Sequence, residues 1–102
     1  MNHDDLKAAE LRRKRGTKVF LHMLGGIVRY HDTDVVAFTD STIRLCTGGW
    51  ESPATKRRMN QASEALELGF RVYQEDYTWY AEYRGKTYRF HEGLLTLDRR
   101  GL

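Results

Sequence analysis

Strong helix signals in this chain gather in one stretch, Ser52 to Gly69, with strand-like sequence on both sides, and that placement limits the fold more than any other feature. Ser52 is a good N-cap, Pro53 suits the first helical position and Gly69 marks the far end. Together they predict a helix over roughly residues 53–68, with Met59, Ala62 and Leu66 spaced to pack on a sheet. Its charges run against its dipole. Lys56, Arg57 and Arg58 lie in the first turns and Glu64 and Glu67 in the last two, an arrangement that gives up about 0.3–1 kcal/mol for each misplaced charge near an end. Cations at a helix start after a Gly-Gly turn suit the holding of an anion; a solvated surface face is the competing reading.

Before this helix, KVFLHML reads as a strand, Gly25-Gly26 as a break or bulge, and IVRY as its continuation or partner. HDTD is a turn. VVAFT and TIRLC form a hairpin about Asp40-Ser41, with Val36, Phe38, Ile43 and Leu45 on one face. After the helix, FRVYQ runs to a turn at Glu75-Asp76, and YTWYAEYR and KTYRFH meet at Gly85-Lys86, which sets Tyr83 opposite Tyr88. Trp79, Ala81, Tyr83, Tyr88 and Phe90 then share one face, and Thr78, Tyr80, Glu82, Thr87, Arg89 and His91 the other. LLTLD is a last short strand. The expected class is α+β: an antiparallel β-sheet built of hairpins packed against one central helix. A short basic helix or arm over residues 1–17 precedes a single domain over 18–102.

Charge is distributed unevenly. Residues 1–18 hold six cations against three acids, and the rest of the 102-residue chain holds eleven of each, so the net +3 belongs to the first segment. In DDLKAAELRRKRG the acids precede the Arg/Lys run and Gly16 stops the helix, in agreement with its dipole. Leu6 and Leu11 offer little apolar surface, so the arm is expected to be loosely held or to fold on a partner.

Several chemistries find no support. No run of about eighteen apolar residues exists, so no transmembrane helix is expected, and VFLHMLGGIV lacks the form of a signal peptide. The single Cys46 forms no intrachain disulfide and reads as a small buried residue. His3, His22, His31 and His91 are scattered, without zinc spacing or any other metal or cofactor signature. His31-Asp32-Thr33-Asp34 groups polar side chains in a turn, but turn chemistry accounts for them and no nucleophile accompanies them. Gly48-Gly49-Trp50 before the helix can form an anion nest, or a tight turn with Trp50 plugging the core. Tyr73, Tyr80, Arg89 and His91 are the aromatic and cationic residues left facing outward for a partner, with Tyr73, Tyr80 and Arg89 the candidate contacts.

His31-x-Thr33-x-Val35-Val36, then Thr47-Gly48-Gly49-Trp50, then Ala54-Thr55-Lys56-x-Arg58-Met59-Asn60-Gln61 resembles a group of small bacteriophage-encoded proteins sharing an HxTxVV…GGW…TTKxRxN pattern. Ala54 stands where the first Thr of that run usually is. The likeness spans about residues 30–73 and implies a phage origin and expression in a bacterial host's cytoplasm. It also implies the class of small phage proteins that bind host machinery or nucleic acid, or block defence systems. The expected function is therefore non-enzymatic, without cofactor or metal. Host nucleic acid, or a nucleoprotein or defence complex, would be held by Gly48, Gly49, Thr55, Lys56, Arg57 and Arg58, helped by Arg12, Arg13, Lys14 and Arg15. Direct inhibition of a host protein through Tyr73, Tyr80 and Arg89 is the alternative, and a nucleotide-binding protein or enzyme using the Gly-Gly turn ranks last. An edge strand leaves room for a homodimer.

Overall fold

The computed structural model describes residues 3–100, and side chains from residue 8 onward. The element order is α1 (His3–Arg12), β1 (Thr17–His22), β2 (Gly25–Tyr30), β3 (Thr33–Thr39), β4 (Thr42–Cys46), α2 (Pro53–Ala65), β5 (Phe70–Glu75), β6 (Thr78–Tyr83), β7 (Lys86–Arg89) and β8 (Leu94–Asp98). The strands form two antiparallel sheets, β1-β2-β3-β4-β8 and β5-β6-β7. One core joins them. Val28, Val36, Ile43, Leu45 and Leu97 from the larger sheet meet Val72, Trp79 and Ala81 from the smaller, with Met59 and Ala62 of α2 in the same cluster. This is the α+β architecture the hairpin-helix-hairpin pattern predicts.

Three corrections concern turns. Met23 and Leu24 make the first turn, and Gly25 and Gly26 lie inside β2 instead of breaking it. Glu75 pairs with Thr78, so the turn residues are Asp76 and Tyr77; Tyr83 pairs with Lys86, so the next turn is Arg84-Gly85. Both turns have positive φ at their two central residues (51° and 66°; 50° and 78°), the mirror-image geometry that follows strand twist and favours glycine second. The β6–β7 register differs from the sequence expectation by two residues, which leaves each side chain on its expected face. Trp79, Ala81, Tyr83 and Phe90 are buried, and Tyr88 is exposed on the edge strand. Tyr77 occupies a glycine position while almost wholly exposed. Tyr77→Gly is expected to stabilise the fold by about 0.5–1 kcal/mol, a rise of roughly 5 °C in a thermal melt.

The helix α2 begins as expected. The Ser52 hydroxyl accepts the Thr55 N–H at 3.2 Å, with Pro53 opening the helix. It ends earlier. Leu66 is the C-cap, Glu67 turns left-handed (φ 55°), and the Leu68 N–H returns to the Ser63 carbonyl at 2.9 Å. That bond and the Glu67 N–H on the Glu64 carbonyl make a Schellman closure centred on Glu67, two residues before the glycine expected to end the helix.

The basic helix α1 is docked. Ala8 and Leu11 are buried, and the Arg12 guanidinium donates to the Val19 carbonyl at 3.0 and 3.2 Å, holding the outer edge of β1.

Candidate functional site

Two turns and a helix start meet at one corner and enclose a cleft of about 390 Å³. The first turn is His31-Asp32, between β2 and β3. His31 adopts φ 55° and its N–H donates to the Gly16 carbonyl at 2.8 Å, so the end of the basic segment is tied to the cleft. The His31 ring lies 4.3 Å from that of Tyr30. A bulge follows, where Val28 pairs with Val36 but Arg29 with Asp34. The extra residue, Val35, is buried along with Val36 and lines the cleft. Arg29 and Asp34 close the bulge with an ion pair at 2.6 Å. The hydrogen bond that Arg29 donates to Asp34, and then the Asp34 charge, raise the Arg29 pKa above its ordinary value.

The second turn is Thr47–Trp50. Gly48 and Gly49 have φ 63° and 84°, and a Cβ on Gly48 would lie 2.3 Å from the Thr33 hydroxyl. Glycine thus lets the two turns touch. The Thr47 hydroxyl accepts the Gly49 N–H at 3.3 Å and the Thr47 carbonyl accepts the Trp50 N–H at 3.0 Å. Two of the donors expected to form an anion nest, the Gly49 and Trp50 N–H groups, are therefore taken up within the turn. Trp50 is turned outward, 73% exposed on the cleft wall, instead of plugging the core. Thr55 is buried and its hydroxyl is shared with Ser52 at 3.1 Å. With Pro53 lacking an N–H and the Thr55 N–H capped, the helix start has few free donors. Binding of an anion here depends on side-chain cations.

Those cations diverge, because successive helix residues point about 100° apart. Lys56 lies 5.6 Å from the Trp79 ring centre and 3.4 Å from the Gln74 side-chain oxygen. Arg58 lies 5.0 Å over the Tyr30 ring and donates to Gln61, while its Nε is buried without a hydrogen bond. Arg57 points to solvent between them, without an ion pair among the described residues. On the other side, Lys14 shares a groove with Gln61 and Glu64 of α2. Arg13, Lys14 and Arg15 are exposed, whereas Arg12 is committed to the backbone of β1. The two basic segments, distant in sequence, therefore meet around Tyr30 and His31. Asp32 is the carboxylate among the cleft-lining residues.

The outward residues of the smaller sheet form a separate surface. Tyr73 and Tyr80 stack at 5.5 Å, flanked by Arg71–Glu82 at 3.2 Å, and Arg89 is paired in register with Tyr80. Sequence reasoning puts these three residues on the solvent face but does not reveal Tyr30, Val35 and Trp50 as walls of a cleft. A signal for them exists. His31, Thr33, Val35, Trp50 and Thr55, which make up much of the HxTxVV…GGW…TTKxRxN pattern in this chain, all line it.

A family model described as Kyanoviridae Gp96 protein matches residues 2–96. The chain belongs to that family. It is a bacteriophage family, in agreement with the origin implied by the motif resemblance, and the match takes in α1 as well as both sheets. No curated protein and no solved structure matches the chain. No helix among the described residues is long and apolar enough to cross a membrane, and no group of three or more His, Cys, Asp or Glu among them is placed to hold a metal ion.

Proposed function

We propose that this member of the Kyanoviridae Gp96 family is a non-enzymatic accessory protein that binds nucleic acid in the host cytoplasm, free or within a host nucleoprotein or defence complex. One observation carries the reading: Arg58 of α2 lies over the Tyr30 ring and the Gly16 carbonyl accepts the His31 N–H, so two separate basic segments reach the Tyr30–His31 turn. Such a cluster next to aromatic rings suits phosphate contact with an adjacent base. Arg57 and the arm supply freely exposed charge, and Arg58 supplies a cation held on Tyr30.

Lys14, Arg15 and Arg57 are the residues to change, since all are exposed and unpaired among the described residues. Their joint reversal to Glu is expected to weaken binding and leave the melting temperature nearly unchanged. The slope of log affinity against log salt should fall by about one unit for each phosphate that is no longer neutralised. Fluorescence anisotropy with single- and double-stranded DNA and RNA across a salt series reads both quantities; unchanged affinity would refute the reading. Deleting residues 1–17 is a poorer test, because Leu11 belongs to the core.

The stacked Tyr73–Tyr80 pair favours a second reading, contact with a host protein through the smaller sheet. There Tyr80→Ala should abolish capture of the host partner, and salt should matter little.

A further inference from the structure

We infer that the cleft walled by Trp50 and the Tyr30–His31 turn receives a single unpaired nucleobase, so that the protein prefers single-stranded nucleic acid. The inference deepens the nucleic-acid reading and rests on it. The cleft offers about 390 Å³, within the range of small-ligand sites. Its walls are of two kinds. Trp50 presents an indole that is 73% exposed and that no core packing requires, while Tyr30 and Val35 supply apolar surface and Thr33 and Asp32 a hydroxyl and a carboxylate. A flat aromatic ligand with polar edges matches such a lining: stacking surface on the indole, hydrogen-bonding groups around the rim.

The charge distribution argues for the base and against the phosphate inside the cleft. The Gly49 and Trp50 N–H groups are taken up by Thr47, the helix start is capped by Ser52, and Asp32 would repel an anion. The cations lie outside the cleft lining, with Arg58 over the Tyr30 ring and Arg15 next to Gly16, whose carbonyl accepts the His31 N–H. A strand running along these cations keeps its phosphates on them and turns one base inward. A duplex cannot do this without unpairing that base.

The test compares four probes against the full chain: a short single-stranded DNA of mixed sequence, its RNA counterpart, the same DNA length built from abasic sites, and the duplex. Binding is followed by anisotropy and by quenching of tryptophan emission, which a stacking base produces at exposed Trp50 and not at buried Trp79. The strand with bases, DNA or RNA, is expected to bind roughly 5- to 150-fold more tightly than the abasic strand, with quenching. Trp50→Ala, an exposed substitution that leaves the core untouched, should bind it no better than the abasic strand. Equal binding of abasic and normal strands, or full affinity in Trp50→Ala, would overturn the cleft assignment and leave the nucleic-acid reading standing. Failure of every probe to bind would overturn both.

Discussion

Gly25→Ala is expected to destabilise the protein by about 3 kcal/mol or more, lowering the melting temperature by roughly 10–20 °C. Gly25 pairs with Thr39 across β2 and β3, and a Cβ added there would lie 2.0 Å from the Phe38 carbonyl oxygen, 2.9 Å from its carbon and 3.0 Å from the Thr39 Cα. All three atoms are backbone. No rotamer change relieves the contact, so the strands must separate or shift register, and a one-residue shift would carry Val28 and Val36 out of the core. Gly49→Ala is the matched control. Its Cβ would meet nothing within 4 Å, and only the cost of φ 84° remains, about 1 kcal/mol. Thermal melts of the two variants decide the matter: similar losses would mean that cross-strand space is not what Gly25 provides.

That glycine also shows where sequence reading stops. Gly25-Gly26 reads as an interruption of a strand, because glycine weakens strands and marks breaks. The reason it persists within β2 is the closeness of another backbone, which no local pattern reveals. The turns at Asp76-Tyr77 and Arg84-Gly85 fall one residue away from their expected places for a related cause: the mirror-image turn wants glycine second, and Tyr77 occupies that place. Face assignments hold because burial alternates with period two whatever the turn does. The site is less legible. Lys56, Arg57 and Arg58 look like one group along the chain, but helix geometry sends them towards Trp79, solvent and Tyr30. Trp50 looks like a core residue by composition alone, but at the end of the Thr47–Trp50 turn its side chain is exposed. The phage family agrees with the origin that the resemblance implies, whereas the cleft that those residues line is visible only from their packing.

Ser63→Ala should cost about 2–4 kcal/mol, from loss of one hydroxyl. Ser63 is buried on α2, where its hydroxyl donates to the Phe70 carbonyl at 2.7 Å and accepts the Phe70 N–H at 2.9 Å. One turn earlier Asn60 does the same for the next residue of β5 whose backbone groups face that edge, donating to the Val72 carbonyl at 2.9 Å and accepting the Val72 N–H at 2.7 Å. Residues three apart on a helix rise about 4.5 Å, and alternate residues on a strand are spaced by about 6.6 Å, so two side chains of different length can serve both pairs. The edge of β5 is thereby closed by side chains in place of a further strand. Alanine at 63 leaves a buried donor and a buried acceptor without partners, whereas Asn60→Ala, at a half-buried position open to water, should cost about 1–2 kcal/mol. Hydrogen exchange separates the mechanism from general loosening. The Phe70 amide should lose protection in Ser63→Ala well before the amides of β3, and the Val72 amide should do so in Asn60→Ala. A Ser63→Ala protein with less than about 1 kcal/mol of destabilisation and an unchanged Phe70 amide would show that the edge is held by packing alone. The consequence reaches function: with β5 closed by α2 and β1 held by Arg12, a partner that adds a strand must use β7 or β8, and opening β5 should produce new self-association without any gain in nucleic-acid binding.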